Sequence, residues 1–246
     1  MCGGNVKINL RSILTGVLLV LFLAGAVFFI KRNKPVVVLP PQGVPGAAGL
    51  PTDSKVQGPA SAPVKIVEYS DFECPSCRAV QTDLQGLFKS YPGKIQLTFK
   101  HYPLTSHKWS IYAHQAAECM NAQGKFWPYQ DKLYDKQLEW APSNVPPVEI
   151  LARYAQELGA DMGRFGKCMA DVAVTREIYA EKEEGNKRQV NATPTFFLGE
   201  ERFVGPKEMQ ERGENAVRKV LGLPPKPEPE KKPEPLVPAP LRGSAQ

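Results

Sequence analysis

The stretch that decides the fold runs from Tyr69 to Val80 and reads Tyr-Ser-Asp-Phe-Glu-Cys-Pro-Ser-Cys-Arg-Ala-Val, with cysteines at positions 74 and 77. It overlaps the end of a β-branched run, Val64-Lys-Ile-Val-Glu-Tyr69, that predicts a strand. Apolar residues at helical spacing follow the cysteines and predict an amphipathic helix. The two cysteines therefore lie where a strand ends and a helix begins.

A Cys-x-x-Cys pair can bind zinc, form a structural bridge or exchange electrons. A zinc site needs two further ligands at short spacing. The spacing of the remaining cysteines and histidines does not supply them; these are Cys2, Cys119, Cys168, His101, His107 and His114. A structural bridge over so short a loop would remove little entropy from the unfolded chain. Redox exchange is the remaining interpretation, so we expect neither a metal nor an organic cofactor and treat the histidines as structural.

The position of the pair predicts how its two sulfurs differ. At a helix N-terminus, Cys74 would face backbone N–H groups that lack intrahelical partners, at the positive end of the helix dipole. Both effects stabilise a thiolate. Pro75 suits the first helical turn because its missing N–H costs nothing there, and Ser76 offers a hydroxyl but no charge. Cys74 is thus the expected nucleophile, and Cys77 is the expected resolving thiol.

The order of elements predicts an α/β chain. Strands are predicted at Val64–Tyr69, Ile95–Phe99, Thr195–Leu198 and Arg202–Val204, and helices at Cys74–Tyr91, Trp109–Ala122, Phe126–Leu138, Val148–Leu158, Met162–Met169, Val172–Gln189 and Pro206–Leu221. A β-α-β half and a β-β-α half pair into one central mixed sheet with helices on both faces. This is the thioredoxin fold with a helical insert, at about residues 105–190, between its halves. The insert core should hold the aromatic residues Trp109, Phe126, Trp127 and Tyr129.

Composition divides the chain into four parts. We expect a membrane anchor with basic flanks at 1–34, a Pro/Gly-rich linker at 35–62, the folded domain at 63–223 and a proline-rich disordered tail at 224–246. The uncharged segment 12–30 would form a helix about 28 Å long, close to the ~30 Å hydrocarbon core of a bilayer. A cleaved signal peptide is the alternative, because Ala24-Gly-Ala26 has the small-x-small form of a cleavage site.

The distribution of charge argues against nucleic acid as a partner. The chain carries a net charge of +6, but residues 59–223 hold 21 basic and 21 acidic side chains. Most of the basic excess lies beside the apolar N-terminal segment, where it would meet anionic lipid headgroups. We therefore expect contact with a membrane through residues 12–30 and no nucleic-acid binding.

Two motifs in this order resemble the DsbA family of thioredoxin-fold disulfide oxidoreductases. They are Phe72-Glu-Cys-Pro-Ser-Cys77 after a strand and Asn191-Ala-Thr-Pro-Thr-Phe-Phe197 before a hairpin, and the resemblance covers about residues 59–223. It implies a thiol:disulfide oxidoreductase that acts outside the cytoplasm.

The resemblance also implies roles for individual residues. Cys74 and Cys77 would form the redox pair, the bond into Pro194 would be cis and face them, and Thr193 would present its backbone to an incoming peptide. Glu68 matches the acid that the family buries beneath the pair, where it can accept or relay the proton of Cys77.

Two points stay open in this comparison. Glu68 has an alternative as a solvent-facing strand residue paired with Lys65 or Lys100. Ser76 stands where the best-known members of the family have histidine, which leaves the oxidising power of the pair unassigned.

The remaining cysteines are assigned from the implied export. Cys119 and Cys168 lie on separate predicted helices of the insert, and free thiols tend to oxidise outside the cytoplasm, so we expect a structural disulfide between them. Two buried free thiols are the alternative. Cys2 is assigned no role.

These inferences combine into one expected function. The chain should be a single-pass protein of the inner (cytoplasmic) membrane whose catalytic domain, on the periplasmic side, introduces disulfides into reduced exported polypeptides. The resemblance implies a quinone-linked membrane partner that reoxidises the pair. The alternatives are a reductase or isomerase with the same fold, or a chaperone-like module that binds peptides without catalysis.

Overall fold

The computed structural model describes residues 55–227, and every element named below lies in that range. The strands are β1 Val56–Gln57, β2 Val64–Ser70, β3 Ile95–His101, β4 Thr195–Leu198 and β5 Glu201–Val204. The helices are α1 Pro75–Ala79, α2 Gln81–Ser90, α3 Ser110–Asn121, α4 Phe126–Asp135, α5 Gln137–Trp140, α6 Val148–Glu157, α7 Met162–Met169, α8 Val172–Lys187, α9 Gly205–Glu208 and α10 Glu214–Val220, with a π-helical turn, Met209–Gly213, between the last two. The predicted anchor, most of the linker and most of the tail lie outside the described residues.

One mixed sheet carries the cysteine pair. Its strand order is β1-β3-β2-β4-β5, with β2 and β3 parallel and the other neighbours antiparallel. Because parallel strands need a crossover connection, α1 and α2 link β2 to β3. This β-α-β unit, the insert α3–α8 and the β-β-α end reproduce the predicted order of elements.

Helices cover both faces of the sheet. On one face α2 and α10 pack on the strands through an apolar cluster that includes Ile66, Leu84 and Val217. On the other face Tyr69 and Tyr102 belong to a smaller cluster that meets α8. The insert has its own larger cluster, which also receives the side chains that follow β2. None of the helices within residues 55–227 is both long enough and apolar enough to cross a bilayer.

The structure shifts the predicted boundaries at both ends of the domain. Residues 55–62 belong to the folded domain rather than to the predicted linker, because β1 pairs with β3 and the adjacent Lys55 is buried. Strand β1 has only two residues, too few to show the alternation of apolar and polar residues by which a strand is predicted from sequence. At the other end, the predicted helix 206–221 is divided by the π-helical turn, where a Cβ on Gly213 would lie 2.5 Å from Met209 Sδ.

Replacing Gly185 with alanine should destabilise the domain, although Gly185 lies in helix α8. A Cβ at this position would lie 2.9 Å from the ring of Tyr102 and 3.0 Å from that of Tyr69. Overpacking of this kind costs about 1–3 kcal/mol, which exceeds the gain of about 1 kcal/mol in helix propensity. Urea denaturation of Gly185→Ala and Gly86→Ala measures the difference.

Gly86 in α2 is the matched control for this prediction. A Cβ there would meet no atom within 4 Å, so Gly86→Ala should stabilise by about 0.5–1 kcal/mol. Equal changes at the two glycines would show that the two tyrosine rings leave room for a side chain.

Candidate functional site

The cysteine pair lies at the carboxyl end of the central strand. Cys74 is the N-cap of α1, with extended backbone (φ −73°, ψ 121°), and its N–H donates to the Asp71 carbonyl at 3.1 Å. Pro75 is the first helical residue, as predicted, and both Pro75 and Ser76 are exposed. Cys74 is 6 % exposed and Cys77 is 0 % exposed. The structure thus makes Cys74 the outer sulfur and Cys77 the inner one.

The surroundings of the two thiols separate their pKa values. A hydrogen bond from the Cys77 thiol is the largest influence on Cys74; burial opposes it, and the Thr193 hydroxyl and the N–H groups of Cys77 and Ser76 add to it, bringing the Cys74 pKa to about 6. Burial and the neighbouring Cys74 raise the pKa of Cys77 well above its usual value. At neutral pH Cys74 is therefore the thiolate and Cys77 the thiol. The sequence predicts the N–H groups but not the larger contribution of Cys77.

The Thr193–Pro194 peptide lies against the outer sulfur. The bond into Pro194 is cis, and the Cys74 Sγ lies 3.4 Å from the Thr193 carbonyl oxygen. The segment immediately precedes β4, which pairs with β2. Sheet pairing therefore brings together two motifs that are 119 residues apart in sequence.

Glu68 is buried on β2, the strand that leads to the cysteine pair. It is 0 % exposed, and neither carboxyl oxygen has a hydrogen-bond partner among the described residues. Burial raises its pKa to about 7, and the nearby Ser70 hydroxyl offsets only part of this effect. The alternative pairing with Lys65 or Lys100 does not occur, because those side chains bind other groups.

Two residues beside Glu68 escaped the sequence analysis. The Ser70 hydroxyl and the Tyr134 hydroxyl are 2.9 Å apart, and both side chains are buried. The Ser70 hydroxyl also lowers the pKa of both Glu68 and Cys77, so it lies near both groups. Nothing in the sequence distinguishes Ser70 from other buried serines. Tyr134 belongs to helix α4 of the insert, so only the folded structure brings it to the site.

Glu68→Gln should remove a loss of stability that the wild type shows as pH rises from about 4.5 to about 7. An unfolded Glu68 releases its proton near pH 4.5, whereas the folded group keeps it to about pH 7. Between these values the folded state binds more protons, so stability falls as pH rises. The variant should match the wild type near pH 4 and exceed its free energy of unfolding by about 3 kcal/mol at pH 8.

Urea denaturation at several pH values tests this expectation, with Glu200→Gln as the control, since Glu200 is exposed on the β4–β5 turn. A difference between wild type and Glu68→Gln that stays constant from pH 4 to pH 8 would contradict the buried carboxyl.

The other two cysteines of the domain are joined to each other. Cys119 on α3 and Cys168 on α7 form a disulfide, while Cys74 and Cys77 are the free thiols of the described residues. The bridge fastens two helices of the insert, 49 residues apart in sequence. Trp109, Phe126 and Tyr129 are buried nearby, and Trp127 packs at the edge of the same cluster.

The histidines of the domain contact each other and nearby acidic side chains. Within residues 55–227, no three His, Cys, Asp or Glu side chains lie together in a way that could hold a metal ion. His101 and His114 are buried and contact each other through their Nδ1 atoms, and His101 Nε2 lies 2.7 Å from Glu118 Oε1. Lys55 closes this buried network through its own ion pair with Glu118.

Comparisons with known proteins agree with this geometry. A family model described as thioredoxin matches residues 52–215. Among curated relatives, an Na(+)/H(+) antiporter NhaA 3 from Salinispora tropica is 36% identical over 157 residues, which are 63% of this chain and 23% of that protein. An NhaA 1 antiporter from Mycolicibacterium vanbaalenii is 30% identical over 161 residues, 63% of this chain and 25% of that protein. The match thus spans about a quarter of the length of these relatives, and the printed names describe those longer proteins.

Solved structures give the same fold. A thioredoxin-like oxidoreductase from Silicibacter pomeroyi is 26% identical, with a TM-score of 0.57 over 70% of this chain and 98% of that one. The α-DsbA1 of Wolbachia pipientis is 22% identical, with a TM-score of 0.61 over 68% of this chain and 90% of that one. BdbD from Bacillus subtilis is 22% identical, with a TM-score of 0.57 over 70% and 98%. The predicted thioredoxin fold with a helical insert is confirmed, and the chain belongs to the thioredoxin family, with the fold of its DsbA-type members.

Proposed function

We propose that the protein is a membrane-tethered thiol:disulfide oxidoreductase that introduces disulfides into exported polypeptides. One observation carries this proposal: a Cys74 sulfur with a lowered pKa lies against the Thr193–Pro194 peptide, with a buried Cys77 thiol behind it. A sulfur in this position can exchange disulfides with a peptide that reaches the surface at Cys74.

The exchange moves two electrons from the substrate to the pair. A substrate thiolate attacks Cys74 Sγ of the Cys74–Cys77 disulfide, the S–S bond between the cysteines breaks, and Cys77 leaves and takes up a proton. A second substrate thiolate then attacks the substrate sulfur of the mixed disulfide, and Cys74 leaves as a thiolate. The substrate gains a disulfide, and the pair ends in the dithiol form. Because a thiol with a lower pKa leaves faster, the surroundings of Cys74 favour the second step.

Glu68 is proposed to handle the proton of Cys77. Cys77 leaves as an anion in a buried site, where its pKa is high, so it needs a proton from inside the domain. Glu68 is also buried, lacks a hydrogen-bond partner among the described residues, and has a pKa of about 7. A carboxyl with a pKa near ambient pH is suited to give and take this proton.

The substrate is proposed to bind beside the cis-proline. Thr193 is nearly buried, but its carbonyl oxygen lies against the Cys74 sulfur. An extended peptide bound here would place its cysteine in line with Cys74. Because the contact would involve the backbone of Thr193, we propose that the site recognises the peptide backbone and not a particular side chain. This fits a broad class of reduced, exported polypeptides.

The N-terminal part of the chain supports attachment to the inner membrane. The uncharged segment 12–30 has the length of a bilayer-spanning helix, and the Pro/Gly-rich segment after it would act as a tether. We propose that the domain lies on the periplasmic side, where a quinone-linked membrane partner would reoxidise the dithiol. The anchor would keep the two proteins close together.

Direct transfer of a disulfide tests the function. The oxidised full-length protein is mixed with a reduced peptide that contains two cysteines, and the loss of two hydrogens from the peptide is followed by mass spectrometry. Stoichiometric oxidation of the peptide is expected. Equilibration with glutathione then decides direction, because a potential near the ~−270 mV of thioredoxin would indicate a reductase instead.

A further inference from the structure

The loop between β3 and α3, residues 102–109, is fastened to the segment that precedes the cysteine pair. His107 Nδ1 lies 2.8 Å from Asp71 Oδ2. The Trp109 N–H donates to Glu73 Oε2 at 2.6 Å. His107 is half-buried, with 21% of its side chain exposed, whereas the Asp71 carboxylate is completely buried. The loop thus holds an imidazole at the rim of the site.

Asp71 connects this imidazole to both cysteines. Its carbonyl oxygen accepts the Cys74 N–H at 3.1 Å, and its own N–H donates to Cys77 Sγ at 3.5 Å. The residue that holds His107 through its side chain therefore holds the redox pair through its backbone. His107 and the two sulfurs are positioned by one rigid, buried residue.

Two carboxyl groups, Asp71 and Glu73, precede Cys74 in the sequence and bind the loop that carries His107. The motif itself brings no cation, since Ser76 is uncharged. The hydrogen bond to Asp71 raises the pKa of His107; burial opposes this, and the charges of Asp71, Cys74 and Glu73 add to it. The imidazole is thus favoured in its charged form where negative charge accumulates.

We propose that His107 supplies a positive charge that stabilises the Cys74 thiolate, in addition to the Cys77 thiol and the backbone N–H groups, and so raises the oxidising power of the pair from outside the Cys-x-x-Cys motif. The inference rests on the proposed function and specifies how that function is tuned. His107 is a positioning residue, because it acts through its charge and not by contact with substrate.

The charge of His107 also makes the site sensitive to pH. His107 contacts Asp71, and the charges of Cys74 and Glu73 also raise its pKa. His114 Nε2 lies 3.6 Å from the other oxygen of Asp71, Oδ1. The Lys182 ammonium, on α8, is close enough to be affected by the charge of Asp71 and donates to the Pro103 carbonyl at 2.6 Å. As pH rises and His107 loses its proton, the Cys74 thiolate loses its countercharge and the pair becomes less oxidising.

His107→Asn tests the proposal, because asparagine can still donate an N–H to Asp71 but carries no charge. The Cys74 thiolate is titrated by its ultraviolet absorbance in the reduced full-length protein, and the pair is equilibrated with glutathione. We expect the Cys74 pKa to rise by about one unit. The glutathione equilibrium should shift about tenfold toward the enzyme disulfide, or about 30 mV.

Lys108→Gln is the matched control, since Lys108 is the next residue of the same loop and is exposed. It removes a charge without touching Asp71 and should shift neither quantity by more than a small fraction of that effect. An unchanged Cys74 pKa in His107→Asn, or equal shifts in both variants, overturns the proposal.

A second measurement on the unmodified protein covers the case in which His107→Asn does not fold. Coupling between two groups is reciprocal, so the His107 pKa, followed by NMR of its ring protons, should be higher in the dithiol form than in the disulfide form. The same value in both forms overturns the proposal. Neither measurement uses turnover, so a failure to oxidise peptides would count against the proposed function and leave this inference to its own test.

Discussion

Cys74→Ser is expected to abolish disulfide transfer completely, leaving a reduced substrate to oxidise at the uncatalysed rate. A serine hydroxyl cannot form the S–S bond on which both steps of the exchange depend, and Cys77 is buried and keeps its proton at neutral pH. The measurement is oxidative refolding of a reduced two-cysteine substrate. A variant that retains substantial activity would show that the Cys74–Cys77 pair is not the reacting disulfide.

Cys77→Ser provides the informative partner to this variant. Cys74 stays the outer sulfur, and serine can still donate a hydrogen bond to its thiolate. This variant should therefore attack a disulfide-containing peptide but fail to resolve the mixed disulfide, which would accumulate as a species visible by non-reducing electrophoresis. Thermal unfolding of both variants should resemble that of the reduced wild type, which excludes misfolding as the cause.

Asp71→Ala should have the largest effect on stability, a loss of about 3–5 kcal/mol, because it removes one side of a buried charged network. The carboxylate is 0 % exposed and is within 3 Å of four donors. These are the N–H groups of Glu73 and Leu104, the Ser110 hydroxyl and His107 Nδ1. Urea denaturation of the variant measures the loss, which is a large part of the ~5–15 kcal/mol that stabilises a typical domain.

The effect of Asp71→Ala should also depend on pH. Burial alone would raise the pKa of Asp71, but the hydrogen bond from His107, the nearby imidazole of His114 and the Leu104 N–H hold it well below its ordinary value. A carboxyl with a lowered pKa stabilises the folded state above its unfolded pKa of about 3.9, and this contribution is lost on acidification. The difference between wild type and variant should therefore shrink below about pH 4.

Asp135→Ala is the control for this prediction, because the Asp135 side chain is 72% exposed. Its replacement should change stability by less than about 0.5 kcal/mol. A small loss for Asp71→Ala, similar to that of the control, would mean that water replaces the carboxylate in satisfying the four donors.

Much of the fold could be predicted because its signals are local. The helix Met162–Met169 has the predicted bounds, and three other insert helices shift by one or two residues at their ends. The predicted helix Phe126–Leu138 is instead divided into Phe126–Asp135 and Gln137–Trp140. Capping, helical spacing and β-branched runs act over one or two turns of chain, so they are readable without a structure. Strand β1 was not predicted from the sequence. The residue before it, Lys55, forms ion pairs with Glu118 and Glu181 of the insert, which are distant in sequence.

The features of the candidate site could likewise be predicted only where they depend on residues close together in the sequence. The sequence by itself determined that Cys74 would lie at the start of a helix as the outer sulfur, with Cys77 one turn behind it, because a cap and a proline at the first helical position are local features. It also showed that residues 59–223 carry equal numbers of basic and acidic side chains.

Only the tertiary structure decided what surrounds the pair. Burial depends on neighbours from distant parts of the chain. The Glu68 carboxyl without a partner among the described residues, the loop histidine bound to Asp71 and the Thr193 carbonyl against Cys74 therefore appear only when the strands and the insert come together. The groups that lower the pKa of Cys74 include near neighbours in the sequence, but the desolvation that raises the pKa of Glu68 and of Cys77 comes from residues far along the chain, so only the tertiary structure shows it.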